Sequence, residues 1–353
     1  MLKLTRYVAM TVISSTLIVI LVLAGVYIIF TFVAESNSIG QGSYDVWSAL
    51  SYILLTIPAN LYLALPVAGL LGCLLGLGML ASRSELIAMR ASGASIKQIS
   101  HGVVIAALGF MLISFVMGSF LGPWLQHTAN MRRALAKQGQ AVLVTSRATW
   151  LKDKNDFIYI GKSLPGGRLE NVVRYNIKDH RLVSVTQAKR ADLADRRWLL
   201  SDVSVTKFLP KKITSTQLSS MSWDNLVAPA LLQVIASNPQ NLTLWGLHSF
   251  IRYREKNNLS VRGFQLNFWQ ALLRPFSVLV MMLMAIPFVF GPLRSSSTGF
   301  RLLFGVVFGF SFYIVDQFFG PFSIYNNFSP FWGAALPIVL YGGVLSLLLW
   351  RTK

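Results

Sequence analysis

Few side chains in this sequence are placed for covalent chemistry. The four histidines, His101, His127, His180 and His248, stand at no metal-ligand spacing from any Cys, Asp or Glu. No Gly-x-Ser-x-Gly nucleophile elbow occurs. Gly161-Lys162-Ser163 has the ending of a phosphate-binding loop, but the glycine required five residues earlier is Asp156, and the surroundings are strand-like. The one cysteine, Cys73, lies in an apolar run, so no internal disulfide is possible and it reads as a packing residue. A catalytic constellation is therefore not expected, and neither is a cofactor site in this chain.

What remains is charge in costly places. Arg274 and Asp316 each interrupt an otherwise apolar run, where an ionisable side chain needs a partner or a task. They fall at similar depth and can pair, either as a structural ion pair or on a substrate path. Arg132 and Arg133 sit just beyond another apolar run, placed to hold anionic headgroups or simply to snorkel. The stretch Ser82-Arg83-Ser84-Glu85-Leu86-Ile87-Ala88-Met89-Arg90-Ala91-Ser92-Gly93 reads as a short helix. Ser82 or Ser84 can cap its start and Gly93 can end it. Glu85, Leu86 and Met89 fall at helical i, i+1 and i+4 spacing, flanked by Arg83 and Arg90. Such a helix either docks into a groove on a soluble partner or lies at an interface and orients its neighbours. Phe312 and Tyr313, with Phe308, Phe310, Phe318 and Phe319, face acyl chains in a cavity or bulk lipid.

The elements that must position these residues are membrane helices. Of 353 residues, 54% are hydrophobic and only 13% charged, against about 25% charged in soluble domains. Six runs are long enough to cross a bilayer: Val8–Ala34, Ala49–Ala81, Ile99–Leu121, Phe268–Gly291, Gly299–Phe319 and Phe331–Trp350. The first is too long for a signal-peptide core and reads as a retained anchor. The second contains Pro58 and Pro66, which predict a kink or an interfacial start. The pairs Gly72/Gly76, Gly118/Gly122 and Gly305/Gly309 permit close helix contact and read as packing. Short-loop basic residues (Lys3, Arg6, Arg83, Arg90, Lys97, Arg294, Arg301, Arg351, Lys353) all fall on one side. Both termini are then expected in the cytoplasm, and the long loop after the third run outside it.

That loop is polar and basic, with 22 Lys and Arg against 9 Asp and Glu from Trp124 to Asn267, within a chain of net charge +19. Turn signals recur about every ten residues (Lys152–Asn155, Pro165–Gly167, Lys178–His180, Ala194–Arg196) between short alternating runs. This predicts an antiparallel sandwich, jelly roll or open barrel over about 140–223. A helical connector follows over 229–267, with Thr243 capping Leu244–Lys256. The fold class is therefore an α-helical polytopic membrane protein, with six transmembrane helices and an inserted all-β domain. The expected order is helices one to three (1–123, with the short helix near 82–93), the inserted region (124–267), and helices four to six (268–353).

Several blocks closely resemble the lipopolysaccharide export permeases of the LptF/LptG family. They are Gly40-Gln41-Gly42-Ser43-Tyr44-Asp45, Leu74-Leu75-Gly76-Leu77-Gly78-Met79-Leu80-Ala81, Ser84-Glu85-Leu86 and Met89-Arg90-Ala91-Ser92-Gly93. Phe290-Gly291-Pro292-Leu293-Arg294-Ser295 and Asp316-Gln317-Phe318-Phe319-Gly320-Pro321 form a second cluster. The resemblance spans essentially the whole chain and is closer to the LptG branch than to LptF. It implies an inner-membrane, ATP-driven exporter built from this chain, an LptF-like paralogue and two LptB-like ATPase subunits that bind the ATP and Mg. It also implies a periplasmic jelly roll that passes lipopolysaccharide to LptC-like and LptA-like bridge proteins. Arg83, Ser84, Glu85, Leu86, Met89 and Arg90 then correspond to the helix that docks on the ATPase. Arg132 and Arg133 correspond to a place near the lipid A phosphates, with Arg274, Phe312, Tyr313 and Asp316 as further substrate-facing candidates. Family members carry lysines at the outer end of the first span, where Thr31, Asn37 and Ser38 stand here. The alternative is a non-transporting scaffold whose β-domain docks periplasmic partners; nucleic-acid binding is not expected.

Overall fold

The computed structural model describes residues 2–138, 149–153, 155–164, 168–178, 181–194, 197–209, 212–223, 242–291 and 296–351. Several sequence expectations fall outside these: the domain start near Gln140, connector residues 229–241, Pro292 to Ser295 with Arg294, Lys353, and turn residues at 154, 165–167, 179–180 and 195–196. The chain divides into two compact units.

The first unit comprises residues 1–37, 50–129 and 262–353 and is helical. Among the described residues, six helices are long and apolar enough to cross a membrane, as the run lengths predict. They are α1 (Leu2–Ser36), α2 (Val46–Ser82), a continuous helix built from α4 (Ile96–Val116) and α5 (Gly122–Gln138), α7 (Arg262–Phe290), α8 (Thr298–Tyr325) and α9 (Pro330–Arg351). A short helix, α3 (Glu85–Ala91), lies between α2 and α4. Pro58 and Pro66 lie inside an unbroken α2.

The third span does not end at Leu121. It passes through a π turn, Met117–Leu121, in which Gly122 N–H donates to Met117 O, and continues as α5. Pro123 cannot donate a backbone hydrogen bond, and widening the turn just before it lets the helix carry on.

Packing in this unit centres on α2. Its Gly72 and Gly76 receive Thr16, Ser15 and Val12 of α1, and its Gly69 receives Met282 of α7. Conversely, Gly118 seats on Tyr62 of α2, Gly122 on Ala59, Gly305 on Leu71 and Leu74, and Gly309 on Val67. All three glycine pairs noticed in the sequence thus bring a neighbour against this one helix; a Cβ would collide at Gly72, Gly118, Gly305 and Gly309, would be crowded at Gly76, and would meet Ala59 in ordinary contact at Gly122. The remaining core joins Leu77, Leu80, Val103, Phe110, Met281, Met282 and Tyr341. Elsewhere along the pair, Tyr27 donates to Thr56 Oγ1 (2.9 Å) and accepts from Asn60 Nδ2 (2.8 Å), a part-buried polar pin between α1 and α2.

The second unit comprises residues 38–49 and 130–261. Asp45 opens α2, its carboxylate accepting Ser48 N–H at 2.8 Å; this hydrogen bonding holds the Asp45 carboxyl below its ordinary pKa. The six strands β1 (Thr149–Asp153), β2 (Asp156–Leu164), β3 (Arg168–Lys178), β4 (Arg181–Ala194), β5 (Arg197–Leu209) and β6 (Lys212–Trp223) form one antiparallel sheet. Each strand lies beside its sequence neighbour, as short connections favour. Its core is Leu151, Ile158, Ile160, Leu169, Val172, Ala188, Ala191, Trp198, Leu200, Val203 and Trp223. A crease crosses the sheet. The ladders skip Gly161/Asn171, Asn171/Lys189, Lys189/Asp202 and Asp202/Ser219, and both Asn171 (φ 53) and Asp202 (φ 54) are left-handed. Buried positions therefore step by three at 169/172, 188/191 and 200/203, where simple alternation gives two. Finally, α6 (Leu244–Lys256) forms where predicted, with Thr243 Oγ1 accepting Gly246 N–H at 3.2 Å. Tyr253 of α6 donates to Lys152 O (2.9 Å) at the β1–β2 turn.

Candidate functional site

The residues with a chemical task fall into three groups. The first is the α2–α4 hairpin. Helix α3 starts at Glu85, but Ser84 sits in a left-handed conformation and makes no side-chain cap; Ser82 Oγ donates back to Met79 O. The expected serine cap is thus not made; Ser84 contributes only its carbonyl, which accepts Ala88 N–H as the first bond of the helix. The end is as expected. Gly93 (φ 90) lets Ala94 N–H reach Met89 O while Gly93 N–H reaches Arg90 O, both at 3.0 Å, a left-handed closure that fits glycine best.

The two faces of α3 differ in chemistry. Leu86 is 5% exposed and packs into the helical core, and Met89 packs against the same core. Both were named as candidates for docking on a partner; within this chain they anchor the helix to its own core. The outward face carries Arg83, Ser84, Arg90 and Ile87, which is 61% exposed. Ile87 was missed because three large apolar residues in seven do not say which of them points inward. Glu85 lies between the faces, its Oε2 accepting the Tyr7 hydroxyl of α1 at 2.7 Å.

The second group is inside the bundle. Arg274 Nη2 of α7 and Asp316 Oδ2 of α8 are 3.0 Å apart, and both side chains are largely buried. The guanidinium lies 5.4 Å from the Tyr62 ring centroid, a cation–π arrangement, and Tyr62 in turn rests on Gly118 of the π turn. Burial in an apolar surround makes the pair mutually dependent, since either charge alone would be left without its counter-ion. The neighbouring aromatic candidates separate. Phe312 is buried against Tyr341, with ring centroids 5.0 Å apart, so it is closed off from any external ligand. Phe312, a substrate-facing candidate, thus packs within this chain, a rotation of about 100° from its neighbour Tyr313. Tyr313 faces outward beside Phe310.

The third group is on α5. Arg132 is exposed, whereas Arg133 is half-buried and engaged with its surroundings. Adjacent positions on a helix point in different directions, so the two arginines do not form one fork. Among the described residues no cluster of His, Cys, Asp and Glu could hold a metal ion.

Comparison with known proteins covers the same length. The family described as lipopolysaccharide export system permease LptF/LptG matches residues 6–351. The lipopolysaccharide export system permease protein LptG of Escherichia coli (strain K12) is 38% identical over 338 residues, spanning 95% of this chain and 94% of that protein. Its namesake from Haemophilus influenzae (strain ATCC 51907 / DSM 11121 / KW20 / Rd) is 31% identical over 353 residues, 99% of each.

Proposed function

From the premise that this chain belongs to the LptF/LptG family of lipopolysaccharide export permeases, we propose that it serves as the LptG-type subunit of an ATP-driven exporter. In this reading it works beside an LptF-like paralogue in the inner membrane of a Gram-negative bacterium. Two LptB-like subunits bind ATP and Mg, and the extracted lipopolysaccharide passes to LptC-like and LptA-like bridge proteins. Both termini and α3 face the cytoplasm and the β-sheet unit faces the periplasm; the one-sided distribution of basic residues in the short loops supports this.

The observation that carries the proposal is the division of α3. Its inner face, Leu86 and Met89, is fixed to the membrane core, while its outer face offers Arg83, Ile87 and Arg90 around the Glu85 carboxylate. A short helix bolted to a bundle on one side and chemically mixed on the other is suited to transmit motion from a soluble partner. External energy is needed because moving an acyl chain of roughly ten methylenes out of the bilayer costs about 8 kcal/mol, and a glycolipid has several. On the substrate side, Arg132 supplies an exposed cation for phosphate groups, Arg133 lies beside it, and Tyr313 faces the acyl region. Closure of the two permeases at their cytoplasmic ends then expels the glycolipid towards the periplasm.

Glu85→Lys tests this. The variant is expected to insert in the membrane yet release no labelled lipopolysaccharide from proteoliposomes containing the assembled complex. Normal release by that variant would refute the docking role.

A further inference from the structure

The Tyr7–Glu85 hydrogen bond ties the ATPase-facing element to the first membrane span, and we propose that Tyr7 is a positioning residue for coupling. This inference rests on the functional reading above and adds a route for the motion. Three observations lead to it.

First, the bond is between elements 78 residues apart, joining the inner end of α1 to the first turn of α3 at 2.7 Å. A phenol donating to a carboxylate makes a charge-assisted bond, of the stronger and more directional kind. It uses one carboxylate oxygen, and a carboxylate has acceptor capacity on both, so Glu85 can still meet a partner's arginine. Second, Tyr7 is 45% exposed, so its ring contributes little to core packing and its hydroxyl is the group with a defined contact. Third, α1 is the span least enclosed by this chain. Leu21, Ile29, Phe30 and Val33 all point outward, and its contacts with the rest of the chain include Thr5 and Val8 on Gly102, Ser15 and Thr16 on α2, and Tyr27 on Thr56 and Asn60. A displacement of α3 reaches the rest of the bundle through Leu86 and Met89, but it reaches α1 directly through Tyr7. The hydroxyl also sets the rotamer of the Glu85 side chain before any partner arrives, which fixes the direction in which the acid is presented.

The test compares two substitutions of the same chemistry on the same helix, Tyr7→Phe and Tyr27→Phe, in the complete complex with the paralogous permease and the ATPase. The measured quantity is fluorescently labelled lipopolysaccharide released from proteoliposomes per ATP hydrolysed. Tyr7→Phe is expected to lower that ratio about fivefold with complex assembly intact. Tyr27→Phe removes only a polar pin between α1 and α2 and is expected to leave the ratio unchanged. An unaltered ratio in Tyr7→Phe, or an equal loss in both variants, overturns the proposal. A wild-type complex that hydrolyses ATP without any linked release overturns the functional reading beneath it instead.

Discussion

Single side chains explain most of what this molecule can do. Leu86 and Ile87 are adjacent, similar in size and opposite in placement. Leu86→Ala is expected to destabilise the helical unit by about 2–5 kcal/mol, read as a fall in detergent-solubilised thermal unfolding temperature. Ile87→Asp is expected to leave that temperature unchanged and to reduce co-purification of the proposed ATPase partner. The Arg274–Asp316 pair yields a second contrast. Replacing Arg274 alone by Met strands a carboxylate in the bundle and is expected to cost about 3–5 kcal/mol, whereas Arg274→Met with Asp316→Leu recovers most of it; the same unfolding measurement decides. That pair was legible in the sequence, because two opposite charges in apolar runs have few alternatives to finding each other. The Tyr7–Glu85 bond was not, since nothing local to either residue announces a partner 78 positions away.

At the scale of elements, glycine contacts divide tolerant from intolerant positions. Gly118→Leu is expected to abolish recovery of monodisperse protein, because a side chain there collides with Tyr62; Gly109→Ala, which meets nothing nearby, is expected to behave as wild type in size-exclusion chromatography. In the sheet, Asn171→Val forces a β-branched residue into a left-handed conformation and is expected to cost about 1–2 kcal/mol, measured by denaturant unfolding. The N-terminus of α2 carries a pH dependence. The Asp45 carboxyl titrates below its unfolded value, so its stabilisation is present above the ordinary carboxylate pKa and is lost as pH falls through the depressed folded value. Asp45→Asn is expected to flatten that acid limb of the unfolding curve. The long spans and the capped helix Leu244–Lys256 were readable because apolar run length and a threonine before a periodic segment are local signals. The π turn and the crease were not: each arises where backbone departs from its regular hydrogen bonding to suit a neighbour, as Gly122 does before Pro123 and Asn171 does opposite Gly161.

For the molecule as a whole, sidedness is the property on which transport depends. The native Cys73 is completely buried, so a membrane-impermeant maleimide reports only introduced cysteines. Cysteines at Ile87 and at Lys189 are expected to label from opposite faces of the membrane in oriented vesicles; labelling of both from one face would refute that separation. The charge pattern made this expectation possible, whereas it gave no hint that one helix organises the rest. That helix, α2, has 37 residues, a rod of about 55 Å at 1.5 Å per residue. With four other spans seated against it, a small rotation anywhere along its length acts as a lever stroke. A pivot of about 10° near one end sweeps the other through about 10 Å, a distance on the scale of a helix diameter, and the four spans seated on it must travel with it.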